Sequence, residues 1–216
     1  MTGKPKRPAD FLGLSDEALG ALSRNATLRS YPTHAMVINE GDRTEALYLI
    51  LAGQVKVYLS DGLGHEIVLN QQGPGECFGE MVLDDGPRSA SVIALEPCRF
   101  LMIPRSDVRQ FLGEYPEFVT HFIGQLILHV RRLTETVKAL ALEGVYERLV
   151  RLLYDMAEDR DGRLAVPGRP KQQDLAQRIG ASREMVSRVM KDLTSGGYLV
   201  AEDECIVIAR KLPPRW

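Results

Sequence analysis

Cysteine is scarce in this 216-residue chain: Cys77, Cys98 and Cys205 are the only three, and no two stand in a Cys-x-x-Cys pair. That spacing argues against a disulfide framework and against a cysteine-rich metal site. Long hydrophobic runs are missing too. The longest, Ala46 to Ala52, covers seven residues, far short of the roughly 20 that cross a bilayer, so no transmembrane helix and no membrane partner are expected. Lys4, Lys6 and Arg7 imitate the start of a signal peptide, but no apolar stretch follows before Ser15-Asp16-Glu17, and the expected location is the cytoplasm. The four histidines show no ligand spacing, no cysteine precedes Cys77, and no nucleophile-base pair is visible. The sequence therefore predicts no metal and no enzyme.

What is present is an ordinary globular composition, 44% hydrophobic and 26% charged, with length enough for one large domain or two small ones. The net charge of -2 is unevenly spread. Residues 1–144 hold 14 Lys and Arg against 18 Asp and Glu, whereas residues 145–216 hold 13 against 11. Between Arg163 and Lys191 seven basic residues face two acidic ones. Such a patch suits a polyanion through counterion release, although charge alone fits a solvated helix face equally well.

Periodicity divides the chain. A short helix capped by Ser15, with Leu19 and Leu22 inward, is expected first. A β-rich region follows, with strands expected at Gln54–Leu59, Ala90–Ala94 and Arg99–Ile103, punctuated by turn signals at Gly41-Asp42, Asp61-Gly62, Gly73-Pro74-Gly75 and Asp85-Gly86-Pro87. This pattern suits a small barrel or jelly roll. From Pro116 to Leu142 the apolar residues Val119, Ile123, Leu126, Val130, Leu133, Val137 and Leu140 recur at alternating steps of four and three, a heptad seam. A second stripe, Phe118, Phe122 and Ile127, suggests that one helix packs on its own domain and on a second copy of the chain. Gly144 interrupts the helix. The expected organisation is an α+β protein: a β-roll domain over 1–116, a dimerisation helix over 117–143, and a helical unit over 144–216 ending in two short strands near Tyr198–Val200 and Cys205–Ile208.

Two motifs carry chemistry. In Gly75-Glu76-Cys77-Phe78-Gly79-Glu80-Met81 and Gly86-Pro87-Arg88-Ser89-Ala90, a glycine-bounded turn exposes backbone N–H groups, a serine adds a hydroxyl and an arginine supplies a charged fork, which together suit a phosphate. Glu80 would repel that phosphate and is better used to accept from a sugar hydroxyl. Singly, Arg88 and Glu80 fit an ion pair stapling a loop just as well. In the second motif, Gln172 to Met190, Ala176 permits close helix contact, Gly180 turns the chain, and Leu175, Ile179, Val186 and Val189 form a shared core. This is helix-turn-helix spacing. Ser182 caps the second helix and leaves Arg183, Glu184, Ser187 and Arg188 on one face, where arginine suits guanine and glutamate suits cytosine in a major groove. Lys171 and Lys191, at the edges of the unit, are placed for phosphates, and Gln172 is also assigned to DNA.

These residues, with Glu40-Gly41-Asp42 and Tyr48 to Val55 upstream, resemble the cyclic AMP receptor protein (CRP/FNR) family of bacterial transcription regulators over nearly the full length. The resemblance implies an N-terminal cyclic-nucleotide-binding β-roll, a long dimerisation helix and a C-terminal winged helix-turn-helix. It implies that Arg88 pairs with the cyclic phosphate and Glu80 holds the ribose 2′-hydroxyl, assisted by Gly79, Met81, Ser89 and Ala90. The helix position beside the purine, a Thr-Ser pair in the cyclic AMP receptor, is Leu133-Thr134 here, and only Thr134 can hydrogen-bond a base. The implied ligand is cyclic AMP, with cyclic di-GMP or ligand-free action as alternatives. The implied partners are double-stranded DNA, a second copy of the chain and RNA polymerase. The rival from another class, a nucleotide-binding regulatory subunit, does not explain Arg183, Glu184 and Arg188 on one helix.

Overall fold

The computed structural model describes residues 25–213 except 44, 85 and 161, and of residue 117 only the backbone. The expected helix behind Ser15, with Leu19 and Leu22, lies outside the described residues. Contacts group the rest into two compact units, one running to Leu59 and resuming over Leu69–Leu133, the other formed by Ser60–Val68 and the chain from Thr134 onward.

The first unit is a pair of four-stranded antiparallel sheets. One has the order β1 (Thr27–Tyr31), β8 (Cys98–Pro104), β3 (Ala46–Ala52), β6 (Cys77–Phe78); the other runs β2 (Met36–Ile38), β7 (Ser91–Ala94), β4 (Val55–Ser60), β5 (Glu66–Gln72). The continuous apolar run of the sequence is β3, and its period of two explains why every residue in it is apolar. Leu47 and Leu49 pack on one face with Val108, Phe111, Phe118 and Phe122, while Tyr48 and Ile50 pack on the other with Val55, Phe78, Val92 and Phe100. Tyr48 and Phe78 stack at 4.8 Å, and Phe100 meets both edge-on. Helix α1 (Arg105–Glu114) follows β8.

Helix α2 (Pro116–Leu142) occupies the span that the change of period predicts. Its two apolar stripes fall as expected except that Leu126 and Ile127 change sides. Phe118 and Phe122 are buried and Leu126 packs against the same cluster, so Leu126 belongs to the inward stripe. Ile127, assigned to that stripe from spacing, is instead 49% exposed, together with Ile123, Val130 and Val137. Ile123, Val130, Leu133, Val137 and Leu140 of the expected seam are exposed and, with Ile127 and Thr134, form the outward seam.

Gly144, in an extended conformation, separates α2 from α3 (Val145–Met156). The second unit then holds β9 (Glu158–Arg160), β10 (Arg163–Pro167), α4 (Gln172–Ile179), α5 (Arg183–Ser195), β11 (Leu199–Glu202) and β12 (Cys205–Ile208). The two expected C-terminal strands pair antiparallel from Leu199 with Ile208, and β10 and β9, not foreseen from sequence, extend them to a sheet in the order β11-β12-β10-β9. Leu149, Leu153, Leu175, Ile179, Val186, Met190 and Leu193 form its core. Val189, expected there, is only partly buried, and Met190 and Leu193 take the central places.

Candidate functional site: a nucleotide cavity and a basic helix

Between Phe78 and Leu83 the chain makes the tight turn that its glycine allows. Gly79 has φ 82°, and a Cβ there would stand 3.1 Å from Arg88 Nη1 and 3.2 Å from the Ala46 carbonyl, so neither the conformation nor the space suits a larger residue. A 3-10 turn over Glu80–Leu83 follows. The Arg88 side chain returns to this turn. It is 4% exposed, donating from Nη1 to the Gly79 carbonyl at 2.5 Å and from Nη2 to the Ala46 carbonyl at 2.7 Å. Burial lowers the Arg88 pKa from its ordinary value, while Tyr48 and Glu80 act in the opposite direction. A guanidinium fixed by backbone carbonyls in a partly dry site is a strong receptor for an anion, since little reorganisation accompanies binding.

Arg88 lines a cavity of about 120 Å³. Gly79, Glu80, Met81, Ser89, Ala90 and Leu133 line it as well, so seven of the eight residues assigned from sequence converge. Thr134 does not line it; it lies on the outward seam of α2, because one residue along a helix turns a side chain by about 100°. Apolar Ile38, Val57, Leu69, Phe78 and Val92 complete the walls. Four polar lining residues were not foreseen: Asn70 and Gln72 from β5, and His129 and Arg132 from α2. The alternation Asn70, Gln72 on a strand facing a ligand was the available signal. Cys77, just before the Gly79–Leu83 turn, is buried and its thiol is pushed up to about 12, chiefly by burial, so it is chemically inert at neutral pH. Among the described residues no group of three or more His, Cys, Asp or Glu side chains could hold a metal ion.

In the second unit, Gly180 ends α4 in the left-handed conformation, φ 62°, and Ser182 caps α5 by accepting from the Met185 N–H at 3.3 Å. Ala176 is 1% exposed and lets the two helices approach. Arg183, Glu184, Arg188 and Lys191 are exposed and Ser187 is half-buried, all on the face of α5 opposite Val186, Met190 and Leu193. Lys171 is exposed at the start of α4 and Gln172 is half-buried beside it.

Comparison with known proteins agrees with both halves. The cyclic nucleotide-binding domain family matches residues 28–115, and the Crp-like helix-turn-helix domain family matches residues 147–211. The cyclic AMP receptor protein of Thermus thermophilus is 34% identical over 200 residues, covering 92% of this chain and 89% of that protein. The CRP-like cAMP-activated global transcriptional regulator of Mycobacterium tuberculosis is 28% identical over 208 residues, with 94% and 93% covered. Among solved structures, the c-di-GMP responsive global regulator CLP of Xanthomonas campestris has a TM-score of 0.78 at 26% identity, covering 91% of this chain and 100% of that one. With both domain families matched in order and a relative of this identity aligned along almost its whole length, the chain belongs to the CRP/FNR family of transcription regulators.

Proposed function

We propose that the protein is a homodimeric, cytoplasmic regulator that binds pseudo-palindromic promoter DNA in response to a cyclic nucleotide, and that it is a binding protein rather than an enzyme. The observation that carries this reading is the buried Arg88 guanidinium held over the Gly79 turn, in a chain whose α5 also exposes Arg183, Glu184 and Arg188. The cavity holds the cyclic phosphate on Arg88, Ser89 and the Gly79 backbone and the ribose on Glu80, with Met81, Ala90 and Leu133 as apolar lining. Domain roles follow the chain: sensing by 1–116, pairing by the helix over 117–143, and DNA binding by 144–216. The outward seam of α2 is the dimer contact. Lys171, Gln172 and Lys191 take DNA phosphates around the reading face of α5, Ser182 through Arg188, and RNA polymerase is the further partner. Cyclic AMP heads the ligands to test, because the Thermus and Mycobacterium relatives are named for it, and cyclic di-GMP follows from the name of the Xanthomonas structure.

The experiment is a DNA-binding site selection with and without each nucleotide. Enrichment of an inverted repeat that depends on one nucleotide supports the reading; enrichment indifferent to every nucleotide shows a regulator acting without ligand, and no enrichment overturns the DNA-binding role.

A further inference from the structure

Two side-chain amides fasten α2 to the strand that leads into the Gly79 turn. Gln125 of α2 accepts from the Cys77 N–H on Oε1 at 3.3 Å and donates from Nε2 to the Gly75 carbonyl at 3.3 Å, so one amide spans the backbone on both sides of Glu76. Gln72, at the end of β5 and 3% exposed, donates from Nε2 to the Cys77 carbonyl at 3.0 Å. These backbone partners settle which way each amide faces. Turning Gln125 over would set its NH2 group against the Cys77 N–H and its oxygen against the Gly75 carbonyl, and turning Gln72 over would set oxygen against the Cys77 carbonyl.

Each fixed NH2 group has a second N–H, and each meets a histidine of α2. Gln125 Nε2 stands 2.8 Å from His121 Nε2, and Gln72 Nε2 stands 3.2 Å from His129 Nε2. Nitrogen against nitrogen is a hydrogen bond only when the imidazole nitrogen carries no proton, so both rings are neutral with their proton on Nδ1. His121, Gln125 and His129 follow one another at steps of four and share one face of the helix.

We propose that Gln125 is a positioning residue, which with Gln72 holds the Gly73–Cys77 segment and the Gly79 turn beyond it against α2 only while His121 and His129 are neutral; its effect on affinity rests on the reading that the cavity holds a cyclic nucleotide. Protonation of either ring turns an acceptor into a donor and sets N–H against N–H. The amide meets the new proton only by turning over, which breaks its backbone bond. Burial holds His121 below its ordinary value, so its contribution is complete above about pH 6.5 and is lost as pH falls through the depressed value. On the turn, the Glu76 carboxylate accepts from the Gly73 N–H at 2.8 Å and stands 3.9 Å from Arg132 Nη1, and the Cys77 thiol stays protonated. Glu80, Arg88 and Arg132 line the cavity with His129, and Tyr115, just past α1, packs on the apolar cluster that α2 joins.

The test joins an imidazole-nitrogen NMR titration of the full chain to calorimetry with cyclic AMP and cyclic di-GMP. At about pH 7.5 both rings are Nδ1–H tautomers, and His121 titrates below free histidine. Gln125→Glu keeps the acceptor for the Cys77 N–H and puts a carboxylate oxygen beside His121 Nε2, which raises the His121 titration by about one pH unit or more. In the calorimeter, affinity for the nucleotide that binds falls at least about threefold from about pH 7.5 to about pH 5.5. His121→Gln supplies an acceptor that does not titrate and makes that fall smaller. An Nε2–H tautomer at either ring at neutral pH, or a His121 titration that Gln125→Glu leaves in place, overturns the ladder of amides and imidazoles. An affinity that is flat with pH, or a fall that His121→Gln leaves unchanged, overturns the positioning role while the cyclic-nucleotide reading stands. If neither nucleotide binds at either pH, the cyclic-nucleotide reading and the effect on affinity fall together, and the tautomers alone decide the ladder.

Discussion

Arg148 donates from Nε to the carbonyl of Ile179 at 2.9 Å, tying the end of α4 to α3. The same guanidinium donates from Nη1 to the Glu143 carbonyl at 2.8 Å, just past the end of α2, and it is 9% exposed. Two helix C-termini, each with unsatisfied carbonyls and a partial negative charge, are thus capped by one cation. Arg148→Met fills the volume and leaves the carbonyls bare, so it destabilises the second unit by about 2 to 4 kcal/mol, the scale for losing charge-assisted hydrogen bonds. A thermal melt checks this, and an unchanged midpoint refutes the capping role. Arg148→Lys, a point charge without a fork, restores only part of the loss.

Removing the proposed receptor for the phosphate tests the cavity. Arg88→Ala is expected to weaken cyclic-nucleotide binding by about 2 to 5 kcal/mol, the range for a desolvated charge pair. The fold survives because the aromatic packing of Tyr48, Phe78 and Phe100 is untouched. Unchanged affinity by calorimetry would place the ligand elsewhere.

The α2 helix gives a three-way contrast in sedimentation. Val130→Asp and Val137→Asp charge the outward seam, where the wild-type side chains are 62% and 66% exposed, and each yields folded monomers that lose specific DNA binding. Leu126→Asp strikes the partly buried contact with Phe118 and Phe122 and destabilises the first unit instead, by the cost of a charge set against apolar surface. If both seam variants remain dimers, a different surface pairs the subunits.

This contrast shows what the sequence made legible. The helix span, the strands β4, β7, β8, β11 and β12 and both motifs follow from local spacing, a signal carried by neighbours one turn or two residues apart. The choice between Leu126 and Ile127 does not, because apolar residues cover more than half of α2's circumference and periodicity alone is blind to which arc meets the sheets. The polar wall of the cavity was hidden for a related reason. Gln72 and His129 lie 57 residues apart, and Asn70 and Arg132 lie 62 apart, pairings that only the folded topology brings together. Arg88 was legible because its motif is contiguous, yet its two carbonyl partners were not.

The turn between β4 and β5 gives a pH prediction. Asp61 Oδ1 accepts from the N–H groups of Leu63 and His65 at 2.8 Å each, and Oδ2 lies 2.7 Å from His65 Nδ1. The side-chain hydrogen bond between them holds the Asp61 carboxyl below its ordinary value and raises His65 above its own. The lowered carboxylate contributes above its ordinary value and loses that contribution as pH falls through the depressed one. The raised imidazole contributes below about 6.5 and loses it as pH rises through the elevated one. The turn is therefore tightest between roughly pH 4 and 6.5. An NMR titration shows His65 above free histidine and returned toward it by Asp61→Asn; a His65 that already titrates as free histidine refutes the pairing.

The exposed face of α5 is expected to make two kinds of DNA contact. Arg183 follows the Ser182 cap at the helix end that enters a major groove in helix-turn-helix proteins, while Lys191 lies two turns further along the same face. A base contact and a phosphate contact fail differently. Arg183→Ala costs about 1 to 3 kcal/mol and relaxes preference at one base position, because an arginine fork distinguishes guanine from the other bases. Lys191→Ala weakens all sequences alike and lowers the slope of log affinity against log salt by about one, since one fewer counterion is released. With the proposed two-fold pairing through α2, the half-sites are expected as an inverted repeat, roughly 10 bp from centre to centre. Site selection followed by a salt series on both variants reads each effect separately: full base preference in Arg183→Ala, or an unchanged salt slope in Lys191→Ala, removes that residue from the interface.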